Sequence, residues 1–196
     1  TECGPAIAFD HWQTFRPTSC GRAVDRMEIR IDSPDPFKQV GEILTKGMNV
    51  MDGYYNNPEA SNTVLSPDGW LHTGDLGVLD PDGYLYIKGR SKSLILGPSG
   101  QNIYPEEIED LLNAQPYIAE SLVIEREGKL VALVYPDAEA MKQNKISREA
   151  LLKIIHETRK QINQQIPAYS QIARIEIHDE EFEKTPKRSI KRFLYQ

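Results

Sequence analysis

Hydrophobic and polar residues alternate along several short stretches in the first half of the chain. Residues 24–31 and 41–45 have the period of two that is typical of half-buried strands, and a polar loop joins them. They predict a small antiparallel sheet or partial barrel. Residues 84–87 alternate in the same way after the turn sequence DPDG, which predicts a further strand. Residues 58–64 predict one or two turns of helix.

The second half of the chain predicts a mixture of helices and strands. Two apolar-rich segments, residues 118–124 and 129–135, are joined by a short polar turn with Gly128 near its end, which is typical of a β-hairpin. Alternation over residues 172–177 predicts a last strand. The predicted fold class is therefore α+β, with a small antiparallel β subdomain followed by an α+β domain.

Two helices are predicted in this second half. Pro105 suits a first helical position, and three glutamates follow it closely. These are Glu106, Glu107 and Glu109. Their negative charges interact favourably with the positive N-terminal end of the helix dipole. Ser147 is a suitable N-cap for a helix over residues 148–164. Spacings of four, three and four predict a buried stripe on that helix, formed by Leu151, Ile155, Thr158 and Ile162.

A polar segment, residues 89–93, separates the two halves. It lies between two apolar stretches, and the second of these stops at the turn sequence GPSG, residues 97–100. The position of this segment predicts a hinge at Lys92. A chain of 196 residues can form two small domains, and we place them at residues 1–91 and 92–196.

Composition and charge narrow the functional class. Hydrophobic residues make up 39% of the chain and charged residues 27%, as in an ordinary soluble globular protein. The formal net charge of −6 argues against a nucleic-acid binder, although the C-terminal tail is locally basic. Cys3 and Cys20 fit no zinc or CxxC spacing and are interpreted as reduced thiols. No bilayer-spanning apolar run or signal peptide is found, so we expect a cytoplasmic protein.

Several ordered motifs lie between residues 41 and 109. They are Gly41-Glu42-Ile43, Gly53-Tyr54, Pro58-Glu59, GWLHTGD at residues 69–75, GRSK at residues 89–92 and GQNIYPEEIE at residues 100–109. In these residues the chain closely resembles the adenylate-forming (AMP-binding) enzymes, the superfamily of acyl-CoA synthetases, luciferases and peptide-synthetase adenylation domains. It looks most like a long-chain fatty-acid–CoA ligase. The resemblance covers essentially the whole chain, which corresponds to the C-terminal portion of such an enzyme.

The resemblance implies both a domain organisation and an activity. Residues 1–91 would be the end of the large AMP-binding N-terminal domain, and residues 92–196 would be a mobile C-terminal lid. The parent enzyme would use ATP to activate a fatty acid as an acyl-adenylate and then transfer the acyl group to CoA. We expect the chain by itself to be inactive, because the family's phosphate loop and acyl tunnel lie upstream. Chain length of the acid and oligomeric state stay open, and peripheral membrane association through the missing N-terminal part is compatible with the resemblance.

The resemblance also implies the ligands of ATP or AMP and Mg²⁺. Thr1 would meet the nucleotide phosphate, and Glu2 would bind Mg²⁺, which prefers hard oxygen ligands. Asp75 follows a glycine at an expected strand edge and would accept hydrogen bonds from the ribose hydroxyls, with Arg90 on the same nucleotide. Trp70 and His72 are interpreted as residues that pack or form the wall of the site, not as ligands.

Two further positions are implied by the lid movement of the family. Lys92 would be the pivot, because residues at the end of an element can absorb the rotation. Gly100 would line the path of the CoA pantetheine, because a glycine lets the backbone approach a ligand closely.

The basic tail departs from the family pattern Pro-Lys-Thr-x-x-Gly-Lys-Ile-x-Arg, whose second lysine neutralises carboxylate and phosphate charge during adenylation. This chain has Ser189 in place of that lysine and Arg188 in place of the glycine. In an extended segment, Lys187 and Lys191 would lie on the same face as Ser189, each roughly 6–7 Å away. The hypothesis is that Lys187 substitutes for the missing lysine, with Lys191 as the alternative and with adenylation reduced but not abolished.

Two other classes of protein stay open on the sequence alone. A peptide-synthetase adenylation domain would share the scaffold and pass its acyl group to a carrier-protein thiol. A non-catalytic binding module could keep the lid fold without the chemistry.

Overall fold

The structure is a computed structural model that describes residues 1–196. The chain divides into two compact units, Thr1–Lys92 and Ser93–Gln196. Each unit has buried hydrophobic residues of its own. None of the helices has the length and apolar character needed to cross a membrane.

The first unit is built on a four-stranded antiparallel sheet in the order β3-β4-β5-β6, with a separate two-stranded ribbon. Its elements are β1 (Ala8–Phe9), β2 (Arg22–Ala23), β3 (Met27–Asp32), β4 (Gly41–Gly47), α1 (Pro58–Val64), β5 (Leu71–Leu79) and β6 (Leu85–Arg90). The core of the sheet contains Ile31, Ile43 and Leu85. The predicted antiparallel sheet is therefore present.

Two details of the predicted strands are wrong. Strand β3 begins only at Met27, because Arg26 has a φ of 64° and the Met27 amide donates to the carbonyl oxygen of Val24, which makes a turn there. The predicted alternation at residues 84–87 also fails, since Ile87 is 50% exposed while Tyr84 is buried. Tyr84 is covered by the Arg16 guanidinium, which lies 4.0 Å from the ring centroid.

The second unit contains a three-stranded sheet in the order β11-β10-β9 and a small hairpin, β7-β8. Its elements are β7 (Ile95–Leu96), β8 (Asn102–Ile103), α2 (Pro105–Asn113), β9 (Ile118–Arg126), β10 (Lys129–Pro136), α3 (Ala138–Gln143), α4 (Arg148–Gln165) and β11 (Ile172–Ile177). Strands β9 and β10 are antiparallel, whereas β11 runs parallel to β10. Short 3₁₀ turns occupy Ser91–Ser93, Ala168–Ser170 and Arg192–Leu194.

Helix α4 follows the sequence-based prediction closely. The Ser147 hydroxyl accepts a hydrogen bond from the Ala150 amide over 3.1 Å, as an N-cap does. The buried residues of the helix are the four of the predicted stripe, Leu151, Ile155, Thr158 and Ile162. Three of them, Leu151, Ile155 and Ile162, pack in the core with α2 and one face of the sheet. The predicted α+β fold class is therefore confirmed.

Candidate functional site

The residues around Gly74 interrupt the regular pairing of β5. Strand β5 pairs with β4 through Leu44 opposite His72 and Glu42 opposite Leu76, and the register shifts between these two pairs. Gly74 has a φ of 72° there, a conformation that favours glycine. The expected strand edge at Asp75 is wrong, because β5 pairs with β4 on one side and β6 on the other. Asp75 is instead presented at an irregularity inside the sheet.

Asp75 and Arg90 are cross-strand partners on β5 and β6. Arg90 Nε donates to Asp75 Oδ1 over 2.8 Å, and the Asp75 amide donates to Thr73 Oγ1 over 3.1 Å. The Asp75 side chain is 32% exposed and that of Arg90 is 64% exposed. The structure thus brings these two predicted nucleotide ligands together. Arg90 orients a carboxylate that solvent, or a ligand hydroxyl, can still reach.

Glu42 supports this site, although the sequence gives it no role beyond its place in a motif. Its Oε1 accepts from the Gly74 amide over 2.9 Å, and its Oε2 lies 2.9 Å from His72 Nδ1. The Thr73 hydroxyl donates to the Ile43 carbonyl oxygen over 2.7 Å. These contacts fix the backbone that presents Asp75. Glu42 and His72 are thirty positions apart, so no local pattern could predict their pairing.

Glu2 is held beside residues 49–54 of the same unit. The Met51 amide donates to the Glu2 carbonyl oxygen over 2.9 Å, and the Tyr54 hydroxyl donates to Glu2 Oε1 over 3.2 Å. Partial desolvation and the Glu2 carboxylate both raise the pKa of Tyr54. Thr1 is exposed.

No group of three or more His, Cys, Asp or Glu side chains that could hold a metal is present. In phosphate sites Mg²⁺ takes one or two carboxylates and fills its other positions with phosphate oxygens and water. Glu2 would supply one such carboxylate, and the ion would supply positive charge to the phosphates.

Lys92 is the last residue of the first unit and lies in the 3₁₀ turn Ser91–Ser93, where it is exposed. A short turn between two compact units is the kind of segment at which hinges occur. The hinge itself stays a prediction.

Gly100 lies in the tight turn between β7 and β8. The Gly97 amide donates to the Gln101 carbonyl oxygen over 2.8 Å, the Gly100 amide donates to the Gly97 carbonyl oxygen over 2.9 Å, and Gly100 has a φ of 81°. Beside this turn is a cavity of about 410 Å³, lined in part by Pro98, Ser99 and Tyr169. The Gln101 Oε1 atom is buried and has no hydrogen-bond partner.

The extended geometry predicted for the basic tail is wrong. Lys184 pairs with Ile190 in an antiparallel bridge, the Thr185 amide donates to the Ser189 carbonyl oxygen, and the Arg188 amide donates to the Thr185 carbonyl oxygen, both over 2.8 Å. Arg188 has a φ of 63°. This is the same hydrogen-bonding pattern as in the Gly100 turn, with Arg188 in the place of the glycine. The tail is a hairpin, and Lys187 and Lys191 do not share the face of an extended strand.

The two candidate lysines differ in their surroundings. Lys191 Nζ lies 3.1 Å from Glu183 Oε2, at the base of the hairpin. Lys187 is exposed at the tip, and no salt bridge involves it. The structure therefore favours Lys187 as the cation that remains available for a ligand, although its catalytic role stays a prediction.

Glu109 and Arg192 form a buried pair that the sequence does not reveal. The sequence assigns Glu109 only to the helix dipole, yet its residue is 8% exposed and Arg192 Nη2 lies 2.5 Å from its Oε2. Burial raises the pKa of Glu109 to about 7, with Arg192 acting in the opposite direction. The only feature of the sequence that could have indicated this pair is the position of Glu109, which lies on the same face of α2 as Pro105 and Leu112.

Comparison with known proteins identifies the family of the second unit. Residues 92–195 match the family described as AMP-binding enzyme C-terminal domain. Similar proteins include an indoleacetate–CoA ligase of Aromatoleum aromaticum, 45% identical over 59% of this chain and 24% of that protein. A long-chain-fatty-acid–CoA ligase of Gallus gallus is 39% identical over 62% of this chain and 16% of its own length. A 2-succinylbenzoate–CoA ligase of Bacillus cereus is 38% identical over 71% of this chain and 29% of its own length. The matched segments thus span less than a third of each of these relatives.

Solved structures of adenylate-forming enzymes have the same fold. The O-succinylbenzoate coenzyme A synthetase of Bacillus subtilis in complex with ATP and magnesium ion superposes with a TM-score of 0.69 and 29% identity, over 90% of this chain and 35% of that one. ATP-bound MatB from Rhodopseudomonas palustris gives a TM-score of 0.67 and 28% identity, over 91% of this chain and 35% of its own. The chain belongs to the adenylate-forming, AMP-binding enzyme superfamily and contains its C-terminal domain.

Proposed function

We propose that the full-length protein is an ATP-dependent acyl-CoA synthetase. The observation that carries this proposal is the match of residues 92–195 to the C-terminal domain of AMP-binding enzymes, together with relatives that are CoA ligases. In the first half-reaction a carboxylate oxygen attacks the α-phosphorus of ATP, and pyrophosphate leaves. In the second, the deprotonated CoA thiol attacks the acyl carbon, a C–S bond forms, and AMP leaves. Residues 1–196 alone are expected to be inactive.

The division of the chain supports a two-domain assignment. Residues 1–91 would form the C-terminal end of the large nucleotide-binding domain. Residues 92–196 would be the lid that changes position between the two half-reactions. Lys92 would be the pivot, since it lies in a 3₁₀ turn at the end of the first compact unit.

Asp75 and Arg90 would hold the nucleotide. The Asp75 carboxylate is oriented by Arg90 and remains partly exposed, so it can accept hydrogen bonds from the two ribose hydroxyls. Thr1 and Glu2 would act at the phosphates, with Glu2 as a Mg²⁺ ligand. Charge neutralisation and positioning are what a protein chiefly contributes to chemistry at phosphorus.

The Gly100 turn would lie along the path of CoA. Gly100 is exposed in the turn of the β7-β8 hairpin, and an added Cβ would meet no atom within 4 Å, so a ligand could approach its backbone closely. The neighbouring 410 Å³ cavity could take part of the pantetheine arm.

The acid is proposed to be a long-chain fatty acid, and the Gallus gallus relative supports this choice. Other relatives act on indoleacetate and 2-succinylbenzoate, so the test must separate these acids. The full-length protein is incubated with ATP, Mg²⁺, CoA and one acid at a time, and the CoA thioester is measured by mass spectrometry. Palmitate should give the highest kcat/KM. Faster turnover of indoleacetate or 2-succinylbenzoate would support CoA ligase activity but refute the fatty-acid assignment. If no acid gives a thioester, both proposals are refuted.

A further inference from the structure

The tail hairpin is tied to one edge of the central sheet of the second unit. Strand β9 is an edge strand, because its only partner in the sheet is β10. Both ends of the hairpin contact β9. At its start, Lys184 Nζ lies 2.6 Å from Glu120 Oε1. Just after its returning limb, which contains Ile190 and Lys191, Arg192 donates to the Val123 carbonyl oxygen over 3.2 Å. The hairpin is therefore attached to the sheet at two points.

At the second attachment, Glu109 and Arg192 together form hydrogen bonds with the backbone amide and carbonyl groups of Val123, on the edge of β9 that no strand covers. The Val123 amide donates to Glu109 Oε1 over 2.6 Å, while the Val123 carbonyl oxygen accepts from Arg192 Nη1. Arg192 Nη2 also lies 2.5 Å from Glu109 Oε2 and 3.4 Å from Glu106 Oε1. One carboxylate and one guanidinium thus take the place that a neighbouring strand would occupy. These contacts use both terminal nitrogens of Arg192, and the planar guanidinium gives them a defined direction.

Aromatic packing restrains the base of the same hairpin. Tyr195 meets the buried Phe182 ring edge-on at 5.3 Å, and its hydroxyl accepts from the Glu183 amide over 2.8 Å. The Lys191 amide donates to the Glu183 carbonyl oxygen over 2.8 Å. Fixing Arg192 therefore fixes the returning limb, and with it the orientation of the tip that carries Lys187.

We propose that Glu109 is a positioning residue for adenylation: through Arg192 it orients the tail hairpin so that the Lys187 ammonium reaches the reacting carboxylate and phosphate. This inference rests on the proposed function. Glu109 is 8% exposed and cannot touch a substrate, so its effect on the chemistry must pass through Arg192. Because catalysis by positioning is sensitive to shifts of about 1 Å, a loosened hairpin should lower the rate of the step that uses Lys187.

The central variant is Glu109→Gln in the full-length protein. Glutamine has the same shape and its carbonyl oxygen can still accept from the Val123 amide, but it lacks the charge that holds Arg192. We expect kcat for carboxylate-dependent ATP–pyrophosphate exchange to fall about tenfold to a hundredfold, with the KM for ATP and acid changed less than about twofold. Thioester formation from preformed acyl-adenylate should stay close to the wild-type rate.

Two further variants separate positioning from other roles. Arg192→Lys keeps the charge but cannot contact Glu109, Glu106 and Val123 together, so an intermediate loss is expected. Arg148→Gln is the matched control, because Arg148 forms an exposed ion pair with Asp179 in the same unit, and it should leave both half-reactions unchanged. Amide hydrogen exchange of residues 183–192 gives a readout independent of activity: Glu109→Gln and Arg192→Lys should speed it, and Arg148→Gln should not.

The outcomes are distinguishable. If the wild-type protein shows no carboxylate-dependent exchange, the proposed function fails before the inference is tested. If the wild type is active and Glu109→Gln keeps its kcat, or loses both half-reactions in parallel with its melting temperature, Glu109 is not a positioning residue. If Glu109→Gln does not fold, the same comparison is made with Arg192→Lys, and unchanged exchange kinetics and hydrogen exchange in that variant would overturn the proposal.

Discussion

At the scale of single residues, the carboxyl group of Glu109 is buried, and burial disfavours its ionised form. Burial raises its pKa to about 7, although Arg192 and the Val123 amide stabilise the ionised form. Glu106 faces the same guanidinium and adds to the increase. A buried ion pair of this kind adds little net stability, because the cost of desolvating the two charges offsets their attraction.

Glu109 should make the second unit less stable as the pH rises. Its unfolded pKa is near 4.5 and its folded pKa about 7, so between these values the folded chain binds a proton that the unfolded chain has released. The contribution of Glu109 to stability is therefore greatest below pH 4.5 and is lost as the pH rises toward 7 and above, an effect of about 3 kcal/mol. Urea unfolding of the wild type and of Glu109→Gln at pH 5 and pH 8 measures this. The wild type should lose stability relative to the variant, and equal changes in both would contradict the raised pKa.

The tip of the tail hairpin gives a second prediction at this scale. Lys187 carries no ion pair and Lys191 is paired with Glu183, so Lys187→Ala should lower ATP–pyrophosphate exchange of the full-length protein about tenfold to a hundredfold. Lys191→Ala should have a smaller effect. A loss confined to Lys191→Ala would transfer the role to that residue, and no loss in either would mean that adenylation does not depend on a lysine of this tail.

At the scale of elements, α4 illustrates what the sequence predicts well. Its N-cap and apolar stripe are both local patterns, set within one helix by the 3.6-residue period. Strand β3 and the tail hairpin illustrate the opposite. The start of β3 depends on the positive φ of Arg26, and the tail turn places Arg188 where glycine would be expected. Neither local sequence contains a residue at that position whose type predicts a positive φ.

Distance along the chain also limits prediction of the site. The resemblance identifies Asp75 and Arg90, whereas Glu42, which shapes the backbone before Asp75, acts from thirty positions away. Arg192 and Glu109 are separated by 83 positions. Such pairs form only when the sheet brings their strands and helices together.

The stripe of α4 should dominate the stability of the second unit. Ile162 is fully buried, so Ile162→Ala should lower the free energy of unfolding by about 2–5 kcal/mol through lost transfer energy and a cavity. Leu152 on the same helix is 52% exposed, and Leu152→Ala should cost less than about 1 kcal/mol. Chemical denaturation of the two variants compares them directly. Similar costs for both would contradict the burial assigned to the helix.

At the scale of the whole molecule, the chain has two compact units with separate cores. The second unit has a core built from α2, α4 and three strands, and its tail returns to its own sheet. Residues 93–196 should therefore fold alone. Expressed by themselves, they should unfold in urea in one cooperative transition, with dispersed amide signals in NMR spectra. A non-cooperative transition would mean that this unit depends on the first.

The proposed function of the full-length protein depends on adenylation of a carboxylic acid. Carboxylate-dependent exchange of labelled pyrophosphate into ATP tests it most directly, because exchange requires reversible formation of an acyl-adenylate and does not require CoA. Adenylation by the full-length protein predicts exchange with a long-chain fatty acid, little without an acid, and a higher KM for ATP in an Asp75→Ala variant. ATP binding without carboxylate-dependent exchange across a panel of fatty, aryl and dicarboxylic acids would contradict it.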